Sequence, residues 1–302
     1  MIPQALVDGL LAGTVIGLGA IGVTLTYSIL GFANFAHGEF ISWGAYFALA
    51  VSGALGYLFA GLATPIGPFS FGWSLPIATV VAAGLTAGLA LLADLLLFGR
   101  LRARRSAAII LVIASFGAAL TLRNLLEFIF TSMPAYYTRS LQIALRFGQV
   151  RATPDQLLSL AVTATLVAAL HLLLTRTAIG RAMRAVSENP ALAEVAGIDV
   201  GRVVRIVWIL GAGLAAIAGV VTGLLVQIRP EMGLNLLLPL FAASILGGIG
   251  SVPGAMLAGL IVGVAEALAV QWIGAQWRAA VAFVILVAIL LVRPQGLFGR
   301  AE

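Results

Sequence analysis

Between residues 5 and 292 the sequence is a succession of apolar runs, with its charges gathered into the gaps between them. Hydrophobic residues make up 62% of the chain and charged ones only 9%, where a soluble domain carries about a quarter charged. The runs fall at about residues 5–30, 40–62, 76–99, 107–130, 155–174, 206–228, 236–246, 256–272 and 279–292, most of them near the roughly 20 residues a helix needs to cross a bilayer. Backbone polar groups in lipid must be satisfied within the segment itself, which leaves helices as the way to span. The expected fold is therefore an all-α polytopic membrane protein with about eight or nine transmembrane helices. The run at 236–246 is short enough to be a half-helix, so some of the helices are expected to be broken or re-entrant.

The charges set the topology. Seventeen basic residues against eleven acidic ones give a net charge of +6, and every basic residue is an arginine. Arginine is costly to translocate, so its clusters mark cytoplasmic loops. The basic balance thus concerns orientation and contact with anionic lipid, and no nucleic-acid partner is expected. One cluster, Arg100, Arg102, Arg104 and Arg105, follows the third run; the other is an elbow at residues 176–205. Counting from these two places the N-terminus outside and the C-terminus, with Arg293 and Arg300, in the cytoplasm. The first run has no positively charged segment ahead of it and reads as a retained span rather than a cleaved signal. The sequence contains no cysteine, which excludes disulfides, thiolate chemistry and cysteine-ligated metals.

The elbow holds Arg176, Arg181, Arg184, Arg202 and Arg205 together with Glu188, Glu194 and Asp199. Asn189 is placed to cap a helix whose first residue is Pro190, and Gly197 to end it in a left-handed turn. Leu192, Val195 and Ala196 would then share one face of a helix of about two turns. A helix that short does not persist alone in water. It rests either on the membrane core or lipid interface, or in a groove on a cytoplasmic partner.

Two breaks interrupt the oil: NFAHGE at residues 34–39, after Gly31, and LGGIGSVPG at residues 246–254. They are either turns at the cytoplasmic surface or, as matched interruptions in the two halves, linings of a path or gate. The second reading is favoured, with Asn34, His37, Glu39, Ser244 and Glu266 as candidate path or gate groups, since ionisable residues in a membrane are functional candidates by default. Asn34 could also cap the helix that begins there. Arg123 and Glu127 can pair on one helix face, and Asp94 can reach the Arg100–Arg105 cluster. His171 reads as interfacial. Glu266 has no partner nearby in sequence. Gly9, Gly13 and Gly17 line one face of the first span and invite a close helix neighbour.

No catalytic or metal-ligating constellation is present. A chain without lysine has no phosphate-binding lysine loop, and no nucleophile motif or His-Glu-x-x-His occurs. His37 and Glu39 diverge on a helix and are too few to hold a metal. No catalytic residue and no resident cofactor are expected, and any energy for transport must come from an ion gradient or from another chain.

Taken in order, NFAHGE (34–39), GRAMRAVSENPALAEVAGI (180–198), GAGLAAIAGV (211–220) and LGGIGSVPGA with the following GLIVGVAEAL closely resemble the LivH-type permease of the branched-chain amino acid ABC importers. The likeness runs from the first span to the terminal Arg-Pro-Gln-Gly. It implies an ABC importer permease fold, one transmembrane permease domain over residues 1–302, and a place in the bacterial inner membrane. It also implies partners: a LivM-like second permease subunit, two cytoplasmic ATP-binding subunits that bind the ATP, and a periplasmic substrate-binding protein. On this resemblance the elbow is the coupling segment, with Arg181, Arg184, Glu188, Asn189, Pro190, Leu192, Glu194 and Gly197 at the ATPase contact. Ala191-Leu192-Ala193 stand before Gly197 without the leading Glu of the general coupling motif. The implied cargo is a branched-chain or related amino acid, with urea, short amides or another small polar solute as alternatives for the same machine. The rival of another class is an ion-gradient-driven carrier relaying through His37, Glu39 and Glu266. A membrane-embedded hydrolase lacks a nucleophile.

Overall fold

The computed structural model describes residues 2–138, 140, 142–293 and 295–299. Its helices are α1 (Ile2–Leu30), α2 (His37–Leu58), α3 (Ala60–Ala63), α4 (Ser74–Ala93), α5 (Gly99–Ala103), α6 (Ala108–Phe130), α7 (Pro154–Arg176), α8 (Ala178–Glu188), α9 (Pro190–Val195), α10 (Val200–Leu225), α11 (Met232–Gly247), α12 (Val252–Ile273) and α13 (Arg278–Val292). A π-helical turn at Asp94–Phe98 joins α4 to α5 as one element of 30 residues. β1 (Leu145–Phe147) and β2 (Val150–Ala152) form an antiparallel hairpin with Leu145 opposite Ala152. Among the described residues, eight helices are long and apolar enough to cross a membrane, and α11 is a shorter ninth. The chain is an all-α, multi-pass membrane protein.

The expected spans hold, with shifts at their ends. Helix α11 has 16 residues and starts at Met232, four before the apolar run at 236 suggests, because Met232–Asn235 already make its first turn. Pro239 lies inside it, where the ring removes one backbone donor. Helix α4 starts at Ser74 rather than at residue 76. Of the two terminal arginines, Arg293 directly follows α13, while Arg300 lies outside the described residues.

The connections give the bundle two ends. Helices α1, α5, α7, α11 and α13 finish at the end that carries α8 and α9, the elbow end; the β-hairpin marks the opposite, hairpin end. Helix α1 is the axis, packed against α12, α10 and α11. Its glycine face meets α12 backbone to backbone. A methyl group on Gly9 would lie 2.7 Å from Val264 Cα, and one on Gly13 2.7 Å from Leu260 Cα. Gly259 and Gly263 on α12 return the same closeness toward Gly13 and Gly17. In lipid there is no hydrophobic drive between helices, so close van der Waals contact through small residues holds such a pair. Helices α4, α6, α7 and α13 instead turn Val80, Phe128, Leu172 and Val284 outward.

At the hairpin end the loops are pinned by one buried carboxylate. Asp155 accepts from Ser70 Oγ at 2.5 Å, from the Ser70 amide at 3.2 Å and from Gln142 Nε2 at 2.8 Å. Thr153 caps α7 in a reciprocal box with Gln156.

The seam gives a direct test. Gly13→Val forces α1 off α12 and is expected to cost about 1–3 kcal/mol, the usual penalty for overpacking. Gly84→Val, on α4 with nothing within 4 Å of the added carbon, should leave stability unchanged. Heating the detergent-solubilised protein and following its size-exclusion peak measures both, and equal melting points would refute the seam.

Candidate functional site

The two breaks meet at one place, around the elbow-side half of α1. The first is shorter than the sequence suggests: His37, Gly38 and Glu39 already form the first turn of α2, so only residues 31–36 are non-helical. Asn34 is not the cap of α2, a correction to the sequence reading. Ala36 occupies that position, and Asn34 Oδ1 accepts from the Ala36 amide at 3.1 Å. The Asn34 side chain stabilises the turn before the helix, as Asn commonly does. The second break is likewise reduced to residues 248–251, since α11 runs through Gly247 and α12 starts at Val252 under a Ser251 cap.

Hydroxyls from neighbouring helices satisfy the broken backbone. Ser115 of α6 accepts from the Phe35 amide at 3.0 Å, and Thr24 of α1 accepts from the Gly250 amide at 2.7 Å. Phe35 packs between Phe116 and Phe241, with ring centres 6.2 and 5.3 Å away. Residues 297 and 298 return to the second break, their amides donating to Leu246 O at 2.7 Å and Gly247 O at 3.3 Å. Gly22 and Thr24 lie eight and six residues before the end of α1, about 12 and 9 Å along the axis at the usual rise. Both breaks therefore border the elbow-side half of α1, with Phe32, Asn34, Ala36 and Gly248 buried and Gly31, Ile249 and Gly250 at the surface.

His37 is 1% exposed and faces α1 and α10: a methyl on Gly22 would lie 2.6 Å from its ring, and 3.0 Å from the Gly211 carbonyl. Its ring lies against the Gly19 backbone of α1 as well. Glu39 turns to the other side, toward Arg123 and Glu127 of α6, which pair with each other at 3.3 Å as their spacing predicts. Ser244 donates to Ala20 O at 3.0 Å and to Leu240 O at 2.8 Å, tying α11 to α1. Asp94 meets Arg102 at 2.7 Å, also as expected, and His171 is exposed. Asn34, His37 and Ser244 thus gather around the elbow-side half of α1, whereas Glu266 is elsewhere. It lies on α12 toward the hairpin end, where it is 1% exposed and accepts from Arg278 Nε at 2.7 Å. No group of three or more His, Cys, Asp or Glu able to hold a metal occurs among the described residues.

The elbow is built as its sequence reads. Thr177, Asn189 and Asp199 each cap the helix that follows, accepting from Gly180, Leu192 and Arg202 amides. Gly197, at φ +84°, ends α9, and the Ile198 amide closes on Ala193 O at 3.0 Å. Met183, Val186 and Ala193 enter the main core. Leu192 and Val195 point away from it, 66% and 86% exposed. Arg181, Arg184, Glu188 and Glu194 surround them on the exposed side, with Arg184 Nη1 donating back to Leu174 O. The elbow segment of residues 176–205 thus comprises α8, α9 and the start of α10.

A cavity of about 700 Å³ opens at the hairpin end, lined by α1, α7, α10, α11, α12, α13 and residues 226, 227 and 229. The sequence reading passed over it, and it passed over Ser115, Thr24 and Arg278 too. A lone hydroxyl in an apolar run usually bonds its own helix, so only the helix junctions reveal these two.

The family model described as branched-chain amino acid transport system / permease component matches residues 5–290. The high-affinity branched-chain amino acid transport system permease protein LivH of Escherichia coli K12 is 32% identical over 309 residues, covering 99% of this chain and 96% of that one. Its counterpart BraD of Pseudomonas aeruginosa is 34% identical over 315 residues, with the same coverage. A probable branched-chain amino acid transport permease protein LivH of Methanocaldococcus jannaschii is 31% identical over 293 residues, covering 93% and 87%.

The Glu266–Arg278 pair is lopsided, with a 1% exposed carboxylate against a 52% exposed guanidinium. Arg278→Gln strands a buried charge and is expected to cost about 3–5 kcal/mol. Glu266→Gln leaves the cation in contact with solvent and should cost less, about 1–2 kcal/mol. Melting curves of the two variants in one detergent decide the order; the reverse order would contradict it.

Proposed function

The chain belongs to the branched-chain amino acid transport system permease family, and from that premise we propose how it works within an importer. It is the transmembrane permease subunit of an ABC importer, a family that implies ATPase and binding-protein partners. This replaces an ion gradient as the account of where the energy arises.

The finer assignment is ours. The elbow is the docking segment for the ATPases, and the observation that carries it is the split in its apolar residues. Met183, Val186 and Ala193 anchor it in the bundle while Leu192 and Val195 stand free on its far face. Short apolar helix faces of this kind fit grooves on partner proteins. Capped at both ends and rooted in the core, α8 and α9 can pass a push from a partner to α7 and α10 without bending. The elbow end is cytoplasmic, because four arginines of the α5 segment and five of residues 176–205 gather there. On this reading the N-terminus is outside and the C-terminus in the cytoplasm of a bacterial inner membrane.

The partners we assign are a LivM-like permease subunit, two ATP-binding subunits and a periplasmic binding protein. The chain itself carries no cofactor; ATP is bound by the motor subunits. Their closure draws the two elbows together, and the permease halves rock about a central path. The residues around the two breaks, Asn34, His37 and Ser244, stand where such rocking would open or close the elbow side. Glu39 and Glu266 flank the moving helices. The cargo is a branched-chain or related amino acid, as the names of the relatives state for those proteins.

Leu192→Ser with Val195→Ser removes the exposed face and leaves the anchor intact. The double variant should lower substrate-stimulated ATP hydrolysis by about thirtyfold, the effect of losing about 2 kcal/mol at an interface centre, while its melting point stays at the wild-type value. Full ATPase stimulation in the reconstituted importer would overturn the docking assignment.

A further inference from the structure

The cavity at the hairpin end is distinct from the breaks and from the elbow, and its lining is chemically specific. Three charged residues border it, Asp8, Arg229 and Arg278, with Leu11, Val15 and Met232 among its apolar wall. Asp8 and Arg278 are brought to the same rim by the glycine seam. Gly9 lies against Ala267, whose Cβ a methyl there would meet at 3.1 Å; Asp8 precedes Gly9, and Glu266, which holds Arg278, precedes Ala267.

The polar groups are held but not saturated. Arg278 gives its Nε to Glu266 at 2.7 Å, and its terminal nitrogens have no protein partner among the described residues. Asp8 Oδ1 accepts from Gln4 Nε2 at 2.9 Å, and Gln4 is itself fixed by both backbone groups of Arg151 on β2. Arg229 is shared with Glu231 at 3.4 Å and, in the amide orientation that satisfies both residues, with the Gln227 oxygen at 2.8 Å. Glu266 lies beneath Arg278 and Glu231 beside Arg229, so each guanidinium has a carboxylate partner, while Asp8 on the rim is held by the Gln4 amide. Both signs still face the cavity, through Asp8 and the terminal nitrogens of Arg278, so a guest with a single charge leaves the other unmet, and a purely apolar guest would desolvate both. A guest with both charges at one end and a branched hydrocarbon at the other leaves neither problem. Cavities with an apolar wall and few convergent polar groups are the usual form of a small-molecule site.

We propose that this cavity is a subsite of the permease itself for a zwitterionic amino acid with an aliphatic side chain. Arg278 receives the carboxylate, Asp8 the ammonium group, and the wall of Leu11, Val15 and Met232 the side chain. This rests on the reading above that the cargo is an amino acid, and adds that the permease selects for it, beyond any external binding protein.

The absence of native cysteine makes labelling clean. In the assembled importer, Ala12→Cys places a thiol on the cavity wall and Ser132→Cys places one in an exposed loop away from it. L-Leucine at about ten times its dissociation constant should slow maleimide labelling at position 12 about tenfold and leave position 132 unchanged. Isopentylamine and 4-methylpentanoate, each carrying half of the zwitterion, should not protect. Adding Asp8→Asn should abolish the leucine effect. Unprotected labelling at position 12, in an importer that takes up leucine, overturns the subsite and leaves the importer assignment standing. Equal protection by the amine or the acid shows a merely apolar pocket and also overturns it. Failure of the unaltered importer to take up leucine removes the amino-acid reading and the subsite with it.

Discussion

Everything in this bundle is referred to the backbone contact between α1 and α12. Helices in lipid gain nothing from hiding apolar surface from one another, so their association depends on how closely they fit. Gly9 and Gly13 on one side, with Gly259 and Gly263 on the other, bring the two backbones together where any side chain would collide. That contact fixes α1 as the axis, and α10 and α11 then pack against its remaining faces. It also sets the two ends in register. At the hairpin end it presents Asp8 beside Glu266 and Arg278. Toward the elbow end it leaves Gly19, Gly22 and Thr24 to receive α11, α2 and the second break.

A fold so poor in polar groups must spend them carefully. Non-helical backbone inside a membrane persists only where its amides find partners. Here Ser115 and Thr24, each from a helix other than the one that breaks, supply the acceptors. The cost is that α1, α6 and α11 cannot slide independently past the breaks without losing these bonds. Such coupling favours rigid rocking of the bundle over local unwinding, as the proposed transmission of movement between its two ends requires. His37 is buried against Gly19 and Gly22 of α1, near Gly211 of α10. A buried imidazole held beside backbone on two neighbouring helices has little room to turn, so it fixes how α2 starts against them.

How much of this could be read from residues alone follows from the range of each interaction. The four-residue glycine spacing on α1, the Arg123–Glu127 and Asp94–Arg102 pairs, and the capped helix from Pro190 to Gly197 are all local in sequence, and all were legible. What escaped depends on chain returns. Arg278 reaches Glu266 only because a turn at Gly274 brings α13 back along α12. Ser115 and Thr24 look like any hydroxyl in an apolar run until the broken backbone is placed beside them. Asn34 was misjudged by two residues because a helix start and the turn before it use the same side chains. The cavity has no sequence signature at all, since its lining is drawn from six helices.

The polar chemistry is divided between the ends in a way that bears on direction. At the hairpin end, carboxylates and guanidiniums both stand around a cavity, and neighbouring loops are pinned by Asp155. At the elbow end, arginine predominates, and the apolar residues that stand free, Leu192 and Val195, lie on a protruding helix rather than in a hollow. A hollow bordered by both signs of charge suits the small dipolar guest proposed above; a protruding apolar face among cations suits a protein. The two surfaces differ in kind, and α10, which runs from the elbow to the cavity rim, is continuous between them. In the proposed docking, a displacement of α8 and α9 at one end of α10 would be carried toward Thr222 and Leu225 at the other, where the cavity wall begins. That single helix directly connects the proposed docking face at the elbow with the cavity at the opposite end.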